Sequence, residues 1–389
     1  MTVLPMSNQT AITGLGWTEF TRSSGTSVSV LVARACLMAI EDAGLGVDDI
    51  DGIVSYFHKK NDTQHPRELA EMLGLPACNF HHFHDGGGSW NAAAVLSAAM
   101  MVHSGLCKHV LVYNGRNRYS EGRKKRARDA FDTSGAEQFE APYGSHHAAA
   151  GFGQYATAHM AKYGTTTIDF AHLAVTQRKH ASLNQKAMMR NPISVEDHQN
   201  SRWIIYPYRL LDCCQENDGA VAFVVSAADR AKDLRHNPVY IMGGCCGIEG
   251  RDGDAAKTAR RVFEGAGVSS SDVDIAGIYD NFTFMAMKHL SDFGLAPENE
   301  VGAWIREGNN TLDGSLPVNT HGGLLSEAHF MGLNHVIEVA QQLREGGVVD
   351  DLCKGEHTYD RSICRQVRDP EIGFVCGNLS ASAVVLRKG

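Results

Sequence analysis

Short apolar runs bounded by turn residues alternate along this chain with stretches whose apolar positions recur at helical spacing. AITGLGW (11–17), GIVSYF (52–57), CNFHHFH (78–84), HVLVYNG (109–115) and GAVAFVVSA (219–227) read as strands. Between them, SVLVARACLMAIEDAGL (29–45) reads as an amphipathic helix. GSWNAAAVLSAAMMVHSG (88–105) reads as a helix of small residues, able to be buried over most of its surface. The alternation predicts an α/β architecture. It breaks between about 116 and 201, where charges and glycines interrupt it and helices such as DFAHLAVTQRKHASLN (169–184) stand without paired strands. That region is expected to form an inserted cap or lid.

The pattern then resumes. VYIMGGCCGI (239–248), IAGIYD (275–280), IGFVCGN (372–378) and SAVVLRKG (382–389) read as strands. AAKTARRVFEGAG (255–267), FTFMAMKHLSDFGL (282–295) and HFMGLNHVIEVAQQLREGG (329–347) read as helices. The halves echo each other. Glu41, Ala43, Gly44, Leu45, Asp49 and Asp51 recur at the same spacing as Glu264, Ala266, Gly267, Val268, Asp272 and Asp274, and Gly52-Ile53 is followed in the second copy by Gly277-Ile278. In each copy a helix ends at a glycine, which tolerates a left-handed cap, and a polar turn leads into a strand. A duplicated domain follows, with one half over 1–235, including the cap, and the other over 236–389.

Composition narrows the function. A net charge of −8 argues against a general nucleic-acid binder. The one basic run, from Arg116 to Arg128, reads either as a solvated face or as a patch meeting an anion. No apolar stretch is long enough to span a bilayer, and the first residues lack a signal-peptide pattern, so a cytoplasmic protein is expected. The ten cysteines then read as free thiols, and the adjacent pairs Cys213–Cys214 and Cys245–Cys246 lack zinc-site spacing. In a strand, His82 and His84 share one face and His81 takes the other, so His81-His82-x-His84 supplies two ligands where a metal needs more. No metal is expected.

The motifs of the second half resemble those of the thiolase superfamily. His321-Gly322-Gly323 followed by Ser326-Glu327-Ala328-His329-Phe330-Met331-Gly332 resembles the thiolase pattern N-G-G…G-H-P-x-G, and Tyr279-Asp280-Asn281-Phe282 stands where thiolases carry N-E-A-F. The resemblance spans essentially the whole chain. It implies a thiolase fold, two duplicated α/β halves in a five-layered αβαβα sandwich, with an inserted loop and cap region. It places His329 on the family's catalytic histidine and Cys376 near its second catalytic cysteine. Thiolases set their nucleophilic cysteine at the N-terminus of the small-residue helix. Counted back from Gly105, that position falls at or beside Gly88, in His84-Asp85-Gly86-Gly87-Gly88-Ser89-Trp90, and no cysteine lies between Cys78 and Cys107. Ser89 is the only hydroxyl there. Its expected work is to cap the helix, and as a nucleophile it would need a paired base.

YRLLDCCQENDGA (208–220) and LPVNTHGGLLSEAHFMGLNHVIEVAQQLREG (316–346) are more similar to one branch of the superfamily, the lipid-transfer-type aldolases that shorten steroid side chains. That resemblance implies retro-aldol cleavage of a β-hydroxyacyl-CoA to a ketone or aldehyde plus a shorter acyl-CoA. It implies a homodimer, a small OB-fold, zinc-ribbon partner that binds acyl-CoA, and no cofactor beyond the CoA thioester itself. It makes Tyr279 a catalytic tyrosine. The branch carries a second tyrosine where this chain has His329.

Retro-aldol chemistry needs a base for the β-hydroxyl, donors for the enolate oxygen and an acid for the enolate carbon, and no covalent intermediate. Tyr279 is a candidate acid or base, His329 a donor to the developing oxyanion, and His321 a further lining group. Asp280 would orient Tyr279 or cap the next helix. Gly88, Ser89, Gly322 and Gly323 would let a thioester approach closely. Two other readings stay open: an acyltransferase with an atypical nucleophile such as Ser89, and a non-catalytic acyl-CoA or lipid-binding subunit.

Overall fold

The computed structural model describes residues 3–57, 63–75, 78–122, 137–145, 147–247, 255–344, 347 and 359–389. Residues 123–128 of the basic run lie outside them. Nine strands form the central sheet: β1 (Thr10–Trp17), β2 (Gly52–Phe57), β3 (Phe80–Asp85), β4 (His109–Asn117), β7 (Asp218–Ala227), β8 (Val239–Cys246), β9 (Ile275–Gly277), β10 (Ile372–Cys376) and β11 (Ser382–Lys388). A two-stranded hairpin, β5 (Trp203–Ile205) and β6 (Tyr208–Arg209), stands apart. The strand order is β3-β2-β4-β7-β1-β8-β11-β10-β9, so the strands of each half are neighbours. The two halves meet edge to edge through a short antiparallel junction, Ala11 opposite Tyr240 and Ile12 opposite Val239.

Strand alternation sorts the side chains into layers. Ile53, Leu111 and Val224 face outward onto α1 (Val28–Asp42), where Val32, Ala35 and Ala39 receive them. Val54, Val112 and Phe223 face inward, as do Val375, Val384 and Leu386 of the other half. Between the two inner faces lie α3 (Asn91–His103), with Val95, Ala98 and Val102, and α13 (Leu333–Leu343), with Val336, Ile337 and Ala340. Phe374, Ala383 and Val385 face outward onto Val262 and Phe263 of α9 (Ala255–Ala266) and Leu290 of α10 (Thr283–Asp292). The layers therefore run helix, sheet, helix, sheet, helix. The middle helix sits close on the sheet: a Cβ on Gly244 of β8 would stand 2.9 Å from Leu96 of α3.

The repeat has a local structural counterpart. Gly44 and Gly267 take φ of 75° and 76°. Each is followed by a short 3-10 turn, Val47–Asp49 and Ser270–Asp272, closed by its last aspartate: Asp49 accepts from Gly46 N at 2.8 Å and Asp272 from Ser269 N at 2.7 Å.

The region expected to be a cap or lid carries α4 (Glu137–Glu140), α5 (Ala148–Tyr163), α6 (Thr167–Ser182) and α7 (Val195–Asn200). Its inner helix is anchored. Arg178 Nε donates to Ser326 Oγ at 3.0 Å, His180 Nδ1 lies 3.3 Å from the Asn319 carbonyl, and Asn184 Nδ2 donates to the His321 carbonyl at 2.9 Å. The remaining helices are α2 (Pro66–Leu73), α8 (Ala228–Ala231), α11 (Val301–Arg306) and α12 (Gly323–Ser326). Among the described residues no helix is long and apolar enough to cross a membrane.

Candidate active site

Both central helices begin at the same place, so two helix N-termini, each a positive dipole end, converge. Asn91 opens α3 and binds them together: its Nδ2 donates to the Gly332 carbonyl just before α13 at 3.2 Å and to the Cys376 carbonyl at 3.0 Å. Periodicity alone predicts a helix from residue 329. The chain instead turns at Met331 (φ 53°) and Gly332 (φ 84°), and α13 starts at Leu333. That turn leaves His329 in a loop, where Asn217 Oδ1 accepts from its backbone N–H at 2.6 Å.

Tyr279 follows β9 and points at the start of α3. Gly88 lies in the 3-10 turn Gly87–Trp90 that precedes α3, and a Cβ built there would stand 1.9 Å from the Tyr279 hydroxyl oxygen and 2.2 Å from Cζ. The Tyr279 hydroxyl thus fills the space that a side chain at residue 88 would take. Gly332 packs on the same Cδ2–Cε2 edge of the ring, its notional Cβ 2.8 Å from Cδ2. Gly88→Ala is accordingly expected to push the tyrosine off its position, lowering kcat by about tenfold or more while the fold survives. Steady-state kinetics beside a thermal melt would check it.

The Tyr279 hydroxyl oxygen lies 3.2 Å from His329 Nε2. On the far side of the imidazole, His329 Nδ1 lies 3.2 Å from an Arg116 guanidinium nitrogen and 3.5 Å from Cys214 Sγ. Tyr56, at the end of β2, donates to the carbonyls of Phe330 (3.3 Å) and Met331 (3.1 Å) and steadies the loop from below. Burial holds the Tyr279 hydroxyl well above the ordinary tyrosine range. The Cys214 thiol adds to that, Arg116 opposes it, and Asp280 adds again. Burial also pushes the Cys214 thiol up to about 12.

The other expected site residues divide by depth. Cys376 is fully buried at the end of β10, and burial pushes its thiol up to about 12 despite the Tyr279 main chain beside it. His321 is 1% exposed and lies beneath the site. It belongs to a buried chain: His335 Nε2 to Asp280 Oδ1 at 3.2 Å, His335 Nδ1 to His321 Nε2 at 3.1 Å, and His321 Nε2 to Glu327 Oε2 at 3.7 Å. Burial, with His335 adding, drives His321 well below the usual histidine range. Asp280 is fully buried too. It caps not the following helix but α12, accepting from Leu324 N (2.9 Å) and Leu325 N (3.4 Å). Gly322 and Gly323 have positive φ; a Cβ on Gly323 would meet Asp280 Oδ2 at 2.1 Å and one on Gly322 would meet the Ala181 Cβ at 2.5 Å, so these glycines serve close packing against Asp280 and Ala181. Ser89 does not cap α3. Its carbonyl accepts from Ser382 Oγ at 2.6 Å, and the helix N-cap is Trp90 with no side-chain bond.

Sequence reasoning missed Arg116, Cys214 and Asn319. Asn319 pairs by both side-chain atoms with the backbone of Ile278, fixing the residue before Tyr279 (2.8 Å each way). Its signal was the VNT run before the His-Gly-Gly motif. His82 and His84 do share one face of β3, 3.2 Å apart, and among the described residues no group of three or more His, Cys, Asp or Glu side chains is placed to hold a metal.

A family model described as thiolase C-terminal domain-like matches residues 252–352. The steroid side-chain-cleaving aldolase of Thermomonospora curvata is 36% identical, covering 88% of this chain and 92% of its own. The 17-hydroxy-3-oxo-4-pregnene-20-carboxyl-CoA lyase of Mycobacterium tuberculosis is 37% identical, covering 90% and 95%. Among solved structures, the Ltp2-ChsH2(DUF35) aldolase superposes with a TM-score of 0.87 at 34% identity, covering 100% of this chain and 99% of the other. With relatives of that identity and coverage, the chain belongs to the thiolase superfamily, in the lipid-transfer-protein-like branch of the steroid side-chain-cleaving aldolases.

Proposed function

We propose that this protein is a carbon–carbon lyase that cleaves a β-hydroxyacyl-CoA by retro-aldol chemistry, giving a ketone or aldehyde and a shorter acyl-CoA. The observation that carries this reading is the Tyr279 hydroxyl over Gly88, 3.2 Å from His329 Nε2. A proton-transfer group stands where an acyl-enzyme would need a thiolate. In the cleavage the β-hydroxyl loses one proton and the enolate carbon gains one, so Tyr279 in its phenolate form can accept the first, deliver it as the second from the hydroxyl so formed, and end unchanged. His329 supports the oxygen of Tyr279 through that exchange, and the two helix N-termini supply a positive end for the enolate oxygen.

The names of the relatives favour a steroid side-chain CoA thioester as substrate. The resemblance adds a homodimer and a small OB-fold, zinc-ribbon acyl-CoA-binding partner, and the matched aldolase structure names a second protein, ChsH2. No cofactor enters the scheme, and the cytoplasm is its setting.

The test is mass spectrometry of the purified protein incubated with a tertiary β-hydroxyacyl-CoA. A ketone and a shortened acyl-CoA, with no mass added to the protein, are expected. An acyl adduct on the chain would overturn the non-covalent scheme and turn attention to Ser89 and Cys376.

A further inference from the structure

His329 Nδ1 faces two groups from elements remote in sequence. The Arg116 guanidinium comes from β4, where it is only 5% exposed, and the Cys214 thiol comes from the loop before β7. A guanidinium has donors and no acceptor. The nitrogen it faces at 3.2 Å must therefore present its lone pair, and the imidazole proton sits on Nε2, the atom 3.2 Å from the Tyr279 hydroxyl.

We propose that Arg116, seconded by the Cys214 thiol, is a positioning residue that fixes His329 as the Nε2–H tautomer and so aims the His329 proton at the Tyr279 oxygen. The inference rests on the reading of Tyr279 as the proton-transfer group. Every hydrogen bond in the row then runs one way, from Arg116 to His329 to Tyr279. A row of donors ending on one oxygen stabilises negative charge there. Of the charged neighbours that act on Tyr279, Arg116 is the one that opposes burial and draws its hydroxyl toward ionisation. With the other tautomer, Nδ1–H would face the guanidinium donor to donor, and Nε2 would compete with substrate for the tyrosine proton.

Two readouts test this. Nitrogen-15 NMR of histidine-labelled protein without substrate reports the His329 tautomer, its signal assigned by loss in His329→Asn. The wild type should show Nε2–H, and Arg116→Met should convert the signal to a mixture or to Nδ1–H. Cys214→Ala, which disturbs no buried charge, should shift it in the same direction by less. In the cleavage assay Arg116→Met should lose about 10²-fold in kcat with KM little changed, and Arg116→Lys, which keeps charge and donor, should recover most of it. An Nδ1–H signal in the wild type, or equal activity in the Met and Lys variants, would overturn the proposal. If the wild type cleaves no β-hydroxyacyl-CoA while the tautomer responds to Arg116 as described, the positioning role stands and the lyase reading falls.

Discussion

Replacing Tyr279 by phenylalanine should lower kcat for cleavage by about 10²- to 10⁴-fold, the span that one positioned proton-transfer group contributes. The substitution is clean. The ring keeps its packing against Gly88 and Gly332 and its edge contacts with His289, His329 and His335, so only the hydroxyl leaves. The loss to the fold is one hydrogen bond, with His329, worth about 1 kcal/mol. The hydroxyl is one small group among those a CoA thioester would meet, so KM should change by far less than kcat. Product formation followed by mass spectrometry, beside a thermal melt, separates the two quantities. A drop in kcat below about threefold would remove Tyr279 from the chemistry.

The second large effect concerns stability. Glu338 of α13 is buried and paired with Arg365, which is itself fully buried, and it also accepts from Thr320 Oγ1 at 2.6 Å and Gln342 Nε2 at 3.0 Å. Removing one partner of such a pair strands the other charge, so Glu338→Ala should destabilise the protein by about 3–5 kcal/mol. The acid response follows from the same pair. Burial pushes the Glu338 carboxyl up, Arg365, His321, Lys186 and the Thr320 hydroxyl together outweigh it, and the balance lies well below the ordinary glutamate range. The folded-state pKa is therefore below the unfolded value of about 4.3, so the contribution is complete above that pH and is lost as pH falls further toward the folded-state pKa. Glu338→Gln should give a protein that is weaker at pH 7 yet loses less of its remaining stability on acidification. Denaturant melts at pH 7 and pH 3.5 check both signs.

Much of this was legible in the chain. The turn after each half's first helix announced itself by its glycine and aspartate, and the α/β alternation showed where the layers would form. Tyr279, His329 and Gly88 could be named because each sits in a short motif with a resemblance to lean on. What could not be read was depth and long-range pairing. Arg116 meets His329 across a sequence separation of 213 residues, from the far end of a strand whose nine residues are all buried, so its place at the head of a basic run pointed the wrong way. Asp280 and His321 carry the polar character of site residues but hold up the loops from beneath, a distinction that only packing makes. Ser89 has the chemistry of a helix cap, yet the Gly87–Trp90 turn moves the helix start to Asn91. The start of α13 was displaced similarly, because the periodic run cannot reveal that Met331 and Gly332 take positive φ.

The helices α3 and α13 lie between the inner faces of both halves, one helix from each. A half cut out on its own would keep its outer cover and leave its inner face open to water, an apolar surface of the kind that aggregates. Each half supplies the layer that the other lacks. Carrying both on one chain raises the effective concentration of the two pieces and makes their folding a single cooperative event. The site depends on the same union, since Tyr279 and His329 come from one half and Arg116, Cys214 and Gly88 from the other.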